Sequence, residues 1–306
     1  MRHAHNGRQR LCARVAAQGA FLKILLTGSG GQLGWELARA LSPLGELVAF
    51  DHAGLDLADP ERIRSALREL RPELVVNAAA YTAVDRAESE PEAAFAINAR
   101  APGILAEEAA RLGALLIHYS TDYVFDGTKA GPYAEDDAPS PLGVYGASKL
   151  EGERIVAASG ARHWIFRTSW VYAPRGKNFL LTILRLAREG KPLRVVADQF
   201  GAPTSAAMLA RATSEALTLR APPASGVYHM TAAGCTSWHG FATAILAELG
   251  LDNQVTAIAS SEYPLPAKRP ANSVLDNSRL AAAFGIRLPG WEAGLREAVA
   301  ALKASS

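Results

Sequence analysis

From residue 21 onward the chain alternates short apolar runs with longer amphipathic stretches. Leu22-Lys23-Ile24-Leu25-Leu26-Thr27 has the length and composition of a buried strand, and Gly28-Ser29-Gly30-Gly31-Gln32-Leu33-Gly34 leads from it into a helix-like stretch ending at Leu41. The same rhythm predicts strands at 47–50, 74–77 and 114–119, helices at 60–70 and 91–112, then a helix near 141–158 and a strand at 163–167. Apolar strands of about five residues separated by helices of about ten or more indicate βαβ units: a doubly wound parallel sheet, covered on both faces, with right-handed crossovers. Beyond Val171 the alternation loosens, Pro and Gly become frequent, and helices are expected at 204–219, 237–249 and 291–303. A soft boundary is therefore expected near Val171. It separates the sheet domain, 21–170, from a smaller α/β lobe, 171–306, which closes over the carboxyl ends of the strands and returns some segments to the first domain.

Composition narrows the partners. A chain of 306 residues is long enough for about two domains with ample cores. Its 32 Lys and Arg against 30 Asp and Glu, mixed along the chain, give no reason to expect nucleic acid or a membrane surface as partner. No apolar stretch reaches the roughly 18 residues of a membrane span. Cys12 and Cys235 lie far apart, imply no disulfide framework, and fit a reducing compartment or indifference to redox state; a cytoplasmic setting is expected. Cys235 and His239 are four apart but lack further partners, so no metal site is expected from the residues themselves. Residues 1–20 carry Arg2, Arg8, Arg10 and Arg14, no acid and no apolar face; they are expected to be a disordered leader, from a start codon placed too early rather than from an organelle transit sequence.

The first chemical signal is Gly28-x-x-Gly31-x-x-Gly34, set between a predicted strand and a predicted helix. Glycines there permit a tight turn, close approach of backbone N–H groups to a pyrophosphate and close helix–strand packing, as in Rossmann-type dinucleotide sites. Asp51 ends the second predicted strand 20 residues after Gly31, where a carboxylate can accept from the adenosine ribose. A purely structural turn would use the same glycines, and Asp51 would then only begin a turn.

The second signal is Tyr145-Gly146-Ala147-Ser148-Lys149. Residues four apart stack on a helix face, so the Lys149 ammonium is expected beside the Tyr145 phenol, lowering its pKa and making it a proton donor. A third element, Ser120-Thr121-Asp122, is expected directly after the strand at 114–119, at the ligand-binding edge of such sheets, with Thr121 able to hydrogen-bond a substrate oxygen. Taken singly, the pair also reads as a solvated helix face and the Ser-Thr-Asp run as a turn or N-cap.

Together these motifs resemble the extended short-chain dehydrogenase/reductases, with their TGxxGxxG turn, a Ser or Thr after the fourth strand and YxxxK on the next helix. The resemblance is closer still to the dTDP-4-dehydrorhamnose reductases. It runs through Gly31-Gln32-Leu33-Gly34-Trp35-Glu36-Leu37, the segment from Val76 to Asp85, Ser120-Thr121-Asp122-Tyr123-Val124-Phe125-Asp126-Gly127, Phe166-Arg167-Thr168-Ser169-Trp170-Val171-Tyr172 and Asp198-Gln199-Phe200-Gly201-Ala202-Pro203-Thr204. It covers the chain from about Leu22 to the C-terminus. The resemblance implies reduction of the 4-keto group of dTDP-6-deoxy-L-lyxo-4-hexulose to dTDP-L-rhamnose with NAD(P)H. Tyr145 would then be the proton donor, Lys149 the holder of the nicotinamide ribose, and Thr121 a hydrogen-bond partner that adjusts the proton's pKa.

By the same likeness the cofactor would lie along Gly28, Gly31, Gln32, Leu33, Gly34, Asp51, Asp56, Leu57, Ala79, Ala80 and Tyr81. The sugar nucleotide would meet Thr121, Asp122, Trp170, Gln199, Arg269 and Asn272, with Arg269 suited to phosphate. NADPH is what the resemblance implies, whereas Asp51 suits the free 2′-hydroxyl of NADH, and Arg39 and His52 are only near in sequence; both cofactors stay open. The resemblance also implies Mg2+, in some members at a contact between two copies, and a homodimer. Two other outcomes stay open here: an epimerase or dehydratase of the same superfamily that recycles its cofactor, and a non-catalytic regulatory subunit, for which the Tyr145–Lys149 pair would be dispensable.

Overall fold

The structure, a computed structural model, describes residues 22–304; the leader expected at 1–20 lies outside the described residues. Strands β1 (Leu22–Thr27), β2 (Gly45–Phe50), β3 (Leu74–Asn77), β4 (Leu115–Thr121) and β5 (Arg162–Thr168) form one parallel sheet in the order β2-β1-β3-β4-β5, and the late strand Gly226–His229 pairs in parallel with the outer side of β5. Both faces are buried, as the uninterrupted apolar runs require. Leu22, Ile24, Leu26, Leu74, Val76, Leu115, Ile117, Trp164 and Phe166 point into one core, and the intervening Leu25, Val75, Leu116 and Ile165 into the other. Each such side chain withdrawn from water contributes about 1.5–3 kcal/mol, so a one-residue slip of any strand would exchange the two faces and is strongly opposed.

Helix α1 (Gln32–Leu41) covers the first core, while α2 (Pro60–Leu70), α3 (Ala101–Leu112) and α4 (Val144–Ala158) cover the second. Asp59 starts α2 by accepting from the N–H groups of Glu61 and Arg62 ahead of Pro60. Strand order reverses between β1 and β3, which opens a crevice at their carboxyl ends.

The structure redraws three expected elements. The helix expected over 91–112 is split into Pro91–Phe95, a wide π turn at Ala96–Arg100 and α3. Pro102 has no N–H to return to the Asn98 carbonyl four residues earlier, so a regular α turn cannot close there. Helix α4 begins at Val144 instead of near 141, because Gly143 is extended (φ −151°) and the Val144 N–H is held by Glu88 Oε1 at 2.9 Å. Ser120 and Thr121 do not follow β4 but end it, in register with Arg167 and Thr168 of β5.

Past Val171, short strand pairs join Leu193–Val196 to Val255–Ile258, Phe200–Gly201 to Thr236–Ser237 and Val171–Tyr172 to Thr204–Ser205. Helix Ala206–Leu217 packs into the first core beside α1, where the Ser214 hydroxyl donates to the Ala40 carbonyl at 3.2 Å, so chain order and layer do not coincide.

Candidate active site

The crevice at the strand reversal is a cleft of about 810 Å3. Gly28, Gly31, Gln32 and Leu33 line it from the glycine turn, Asp51 and Leu57 from the far side of β2, Ala79 and Ala80 from the loop after β3, and Tyr145 and Lys149 from α4. Gly28 has φ +76° and a Cβ on it would stand 2.7 Å from the Ala79 nitrogen, while a Cβ on Gly34 would stand 2.0 Å from the Gly28 carbonyl oxygen. Glycine is required at both positions, the first by conformation and contact, the second by the closeness of α1 to the turn. Gly31 caps α1 without a side-chain hydrogen bond, which leaves the first N–H groups of the helix open to the cleft. Asp51 stands across from Gly30, whose Cβ would lie 3.5 Å from its own, and its Oδ1 accepts from Gly54 N at 2.9 Å. Three predicted cofactor residues do not line this cleft: Gly34 packs against the Gly28 carbonyl, Asp56 caps Ala58 N–H at 2.9 Å, and Tyr81 donates its hydroxyl to Glu90. Sequence reading placed Ser120 and Thr168 in motifs without giving either a site role; their buried hydroxyls line the cleft with no hydrogen-bond partner among the described residues.

At the inner end of the cleft α4 lies over the turn that follows β4, where a Cβ on Gly146 would stand 2.2 Å from the Tyr123 carbonyl oxygen, and against the π turn, where one on Gly152 would stand only 2.1 Å from the carbonyl of Asn98. This approach brings Tyr145, Thr121 and Asp122 together. Burial pushes the Tyr145 phenol up to about 12, opposed by its hydrogen bond with Thr121 and reinforced by the nearby Asp122 carboxylate. The Thr121 hydroxyl also lies 3.0 Å from Asp122 Oδ1 and accepts from Tyr123 N at 3.2 Å. Asp122 is 2% exposed, its Oδ2 has no hydrogen-bond partner of good geometry among the described residues, and burial pushes its pKa up to about 7, opposed by the Ser273 and Thr121 hydroxyls.

The expected Lys149–Tyr145 contact is corrected. Lys149 Nζ donates to the Tyr119 carbonyl oxygen at 2.6 Å and lies 3.4 Å from His118 Nε2. The phenol is raised, not lowered, because burial outweighs any help from a lysine that is itself desolvated and pulled down to about 8.

A second, mostly apolar pocket of about 630 Å3 is lined by Phe179, Ile183, Val195, Trp238 and, on its polar side, Gln199, Lys268 and Arg269. Arg269 forms a two-contact ion pair with Asp85 (2.8 and 3.1 Å), and Gln199 donates to the Ser260 hydroxyl at 2.9 Å. Trp170 adopts φ +47°, a conformation costly for a bulky residue, and lies flat on Trp238 with centroids 3.5 Å apart and planes 5° from parallel. Its ring passes over Gly201, where a Cβ would stand 2.5 Å from Trp170 Cε2. Asn272 is not free for a ligand: its amide donates to the Lys129 and Gly131 carbonyls at 2.8 and 2.9 Å and accepts from Val274 N at 3.1 Å.

A family model described as the RmlD substrate binding domain matches residues 22–304. A dTDP-4-dehydrorhamnose reductase of Burkholderia thailandensis is 53% identical over 285 residues, 88% of this chain and 95% of that protein; one from Escherichia coli K12 is 47% identical over 90% of this chain and 96% of its own length. The chain belongs to the dTDP-4-dehydrorhamnose reductase family. A crystal structure of such a reductase from Bacillus anthracis in complex with NADP superposes with a TM-score of 0.88 at 34% identity, over 92% of this chain and all of that one. A UDP-glucose 4-epimerase of Thermus thermophilus, in complex with NAD, shares the fold with a TM-score of 0.80 at 21% identity. Within this family's frame, His118 and Trp238 went unread because single buried polar or aromatic residues carry no spacing signal. No group of three or more His, Cys, Asp or Glu able to hold a metal occurs among the described residues. No helix among the described residues is long and apolar enough to cross a membrane.

Proposed function

We propose that this chain reduces the 4-keto group of dTDP-6-deoxy-L-lyxo-4-hexulose to give dTDP-L-rhamnose, with NADPH as reductant. The observation that carries the reading is the cleft floored by a glycine turn and two unpaired buried hydroxyls, with Tyr145 and Lys149 on its wall; a separate apolar pocket with cationic residues at its edge suits the rest of the substrate. The dinucleotide fits the first, since each of Gly28 and Gly34 excludes a Cβ while the open end of α1 offers N–H groups to a pyrophosphate. Reduced nicotinamide, when bound, supplies the hydride.

Tyr145 gives the proton to the carbonyl oxygen as negative charge develops on it, and Thr121 orients both phenol and substrate oxygen. Lys149 holds the nicotinamide ribose and returns a proton to Tyr145. Asp122 accepts from a sugar hydroxyl through its unpaired Oδ2, a bond that becomes stronger the more the carboxyl is ionised. Trp170, Gln199 and Arg269 bound the nucleotide side; Arg269 meets the diphosphate once its charge is shared between ligand and Asp85. Asp51 serves the adenosine ribose, and the preference for NADPH is borrowed from the NADP-bound relative. Segments 22–170 form the dinucleotide domain, joined by Ala206–Leu217 and Gly226–His229, and the remainder the substrate lobe. A cytoplasmic homodimer is part of the same reading.

The test is turnover: the purified chain with the dTDP-4-keto-6-deoxy-L-sugar should consume one NADPH per dTDP-L-rhamnose formed. Product formed without net loss of reduced cofactor would overturn the reductase reading.

A further inference from the structure

Beneath the cleft runs a buried line of polar side chains that ends on Lys149 and whose other members the reaction above leaves unused. Asn77, at the carboxyl end of β3, faces the Thr27 hydroxyl (2.7 Å) and Ala79 N–H (3.3 Å) with its Oδ1. Its Nδ2 lies 3.0 Å from His118 Nδ1, and His118 Nε2 lies 3.4 Å from Lys149 Nζ. Asn77, His118 and Lys149 are 1%, 0% and 2% exposed, so bulk water does not stand between them.

The direction of the line follows from one backbone group. An amide N–H can only donate, so the Asn77 atom facing Ala79 N–H is oxygen and the atom facing His118 is the NH2. Nδ1 of His118 must then accept, and a neutral ring with Nδ1 accepting carries its proton on Nε2, facing the lysine. Protonation of the ring is opposed by complete burial and then by the neighbouring Lys149 charge, which hold His118 well below its usual range. An N–H directed at an ammonium is unfavourable, but the same N–H donates to a neutral amine.

We infer that His118 is a positioning residue for the proton machinery: with its tautomer set by Asn77, it favours the neutral amine of Lys149 and so lets the lysine release a proton to Tyr145. This rests on the reading of Lys149 and Tyr145 given above. In that step Tyr145 loses its proton to the substrate oxygen, the lysine ammonium passes one proton to the phenolate, and the amine left behind accepts from His118 Nε2–H until solvent reprotonates it. The other groups facing Lys149 are the Tyr119 carbonyl on β4 and Glu153 on its own helix. Glu153 raises the lysine, but its carboxylate is clamped by Arg167 at 2.6 and 2.9 Å, and burial dominates, bringing Lys149 down to about 8. Asp122 acts one step away, on Tyr145.

The first test needs no ligand. In the 15N spectrum of the histidine-labelled chain, the signal lost in His118→Gln should show an unprotonated Nδ1 and a protonated Nε2; the opposite tautomer would overturn the inference. The second reads the lysine. His118→Gln, which can turn an amide oxygen toward Lys149, and Asn77→Asp, which makes Nδ1 the donor and Nε2 the acceptor, should each move the alkaline limb of kcat upward by about one pH unit, a tenfold change in proton affinity. Because both act through the same contact, the double variant should show less than the sum. Limbs that stay in place in both single variants would also overturn it. Failure of the underlying reading looks different: Lys149→Ala with undiminished turnover, whatever the tautomer.

Discussion

Lys149 Nζ lies 2.6 Å from the carbonyl oxygen of Tyr119, so the lysine is tied to the strand that two residues later carries Thr121. The phenol of Tyr145, one turn earlier on the same helix, is engaged by Thr121 instead. Proton donor, hydrogen-bond partner and lysine are thus aligned by the packing of α4 on the end of β4 and the turn after it, which Gly146 approaches without a Cβ.

Tyr145→Phe keeps the ring and removes the proton. Steady-state kinetics should show kcat lowered by about 10²–10⁴ with NADPH affinity nearly unchanged. Near wild-type turnover would require a different donor.

Asp51→Ala should shift preference toward NADPH. The carboxylate opposes a 2′-phosphate and accepts from a free 2′-hydroxyl, so the ratio of kcat/KM for NADPH over NADH should rise by about tenfold. An unchanged ratio would mean that Asp51 serves only its own turn with Gly54.

Gly34→Ala forces α1 away from the Gly28 carbonyl, only 2.0 Å from the new methyl group. Overpacking of this kind costs about 1–3 kcal/mol. Thermal unfolding should show a lowered Tm, and NADPH should bind more weakly because the turn itself moves; an unaltered Tm would contradict the close approach.

Asp122 links pH to stability. Its folded pKa, about 7, lies above the ordinary value of 3.8, so the folded state holds this proton more tightly than the unfolded chain. Stability from this group is complete below about pH 4 and is lost as pH rises toward and through 7. Asp122→Asn should therefore gain Tm relative to the wild type as pH is raised from 4 to 8, and a Tm difference independent of pH would refute the assignment.

Trp238→Ala removes the partner on which the strained Trp170 rests and opens the wall of the apolar pocket. The KM for the sugar nucleotide should rise at least about tenfold while NADPH binding is retained, given that a stacked aromatic contributes about 0.5–1.5 kcal/mol beyond its buried area. Equal losses for both ligands would indicate collapse of the lobe instead.

Local rules made much of the architecture legible before any coordinates. The β/α alternation follows from apolar periodicity, the glycine turn from a positive φ and excluded Cβ atoms, and the Tyr145–Lys149 spacing from helix geometry; each depends on residues close along the chain. What failed depended on contacts between distant segments. Lys149 was expected on Tyr145, but the lysine's partners come from β4, and the phenol is raised because the fold buries it. Asn272 was expected on substrate, yet its amide is consumed by carbonyls 143 and 141 residues earlier in the chain. The apolar pocket is assembled from residues as far apart as Leu142, Phe179, Trp238 and Arg269, and the line from Asn77 through His118 to Lys149 crosses from strand to strand to helix. Spacing along the sequence determines which side chains share a face of one element. Burial, desolvation and hydrogen-bond direction were decided by strand order and by how closely the elements approach one another.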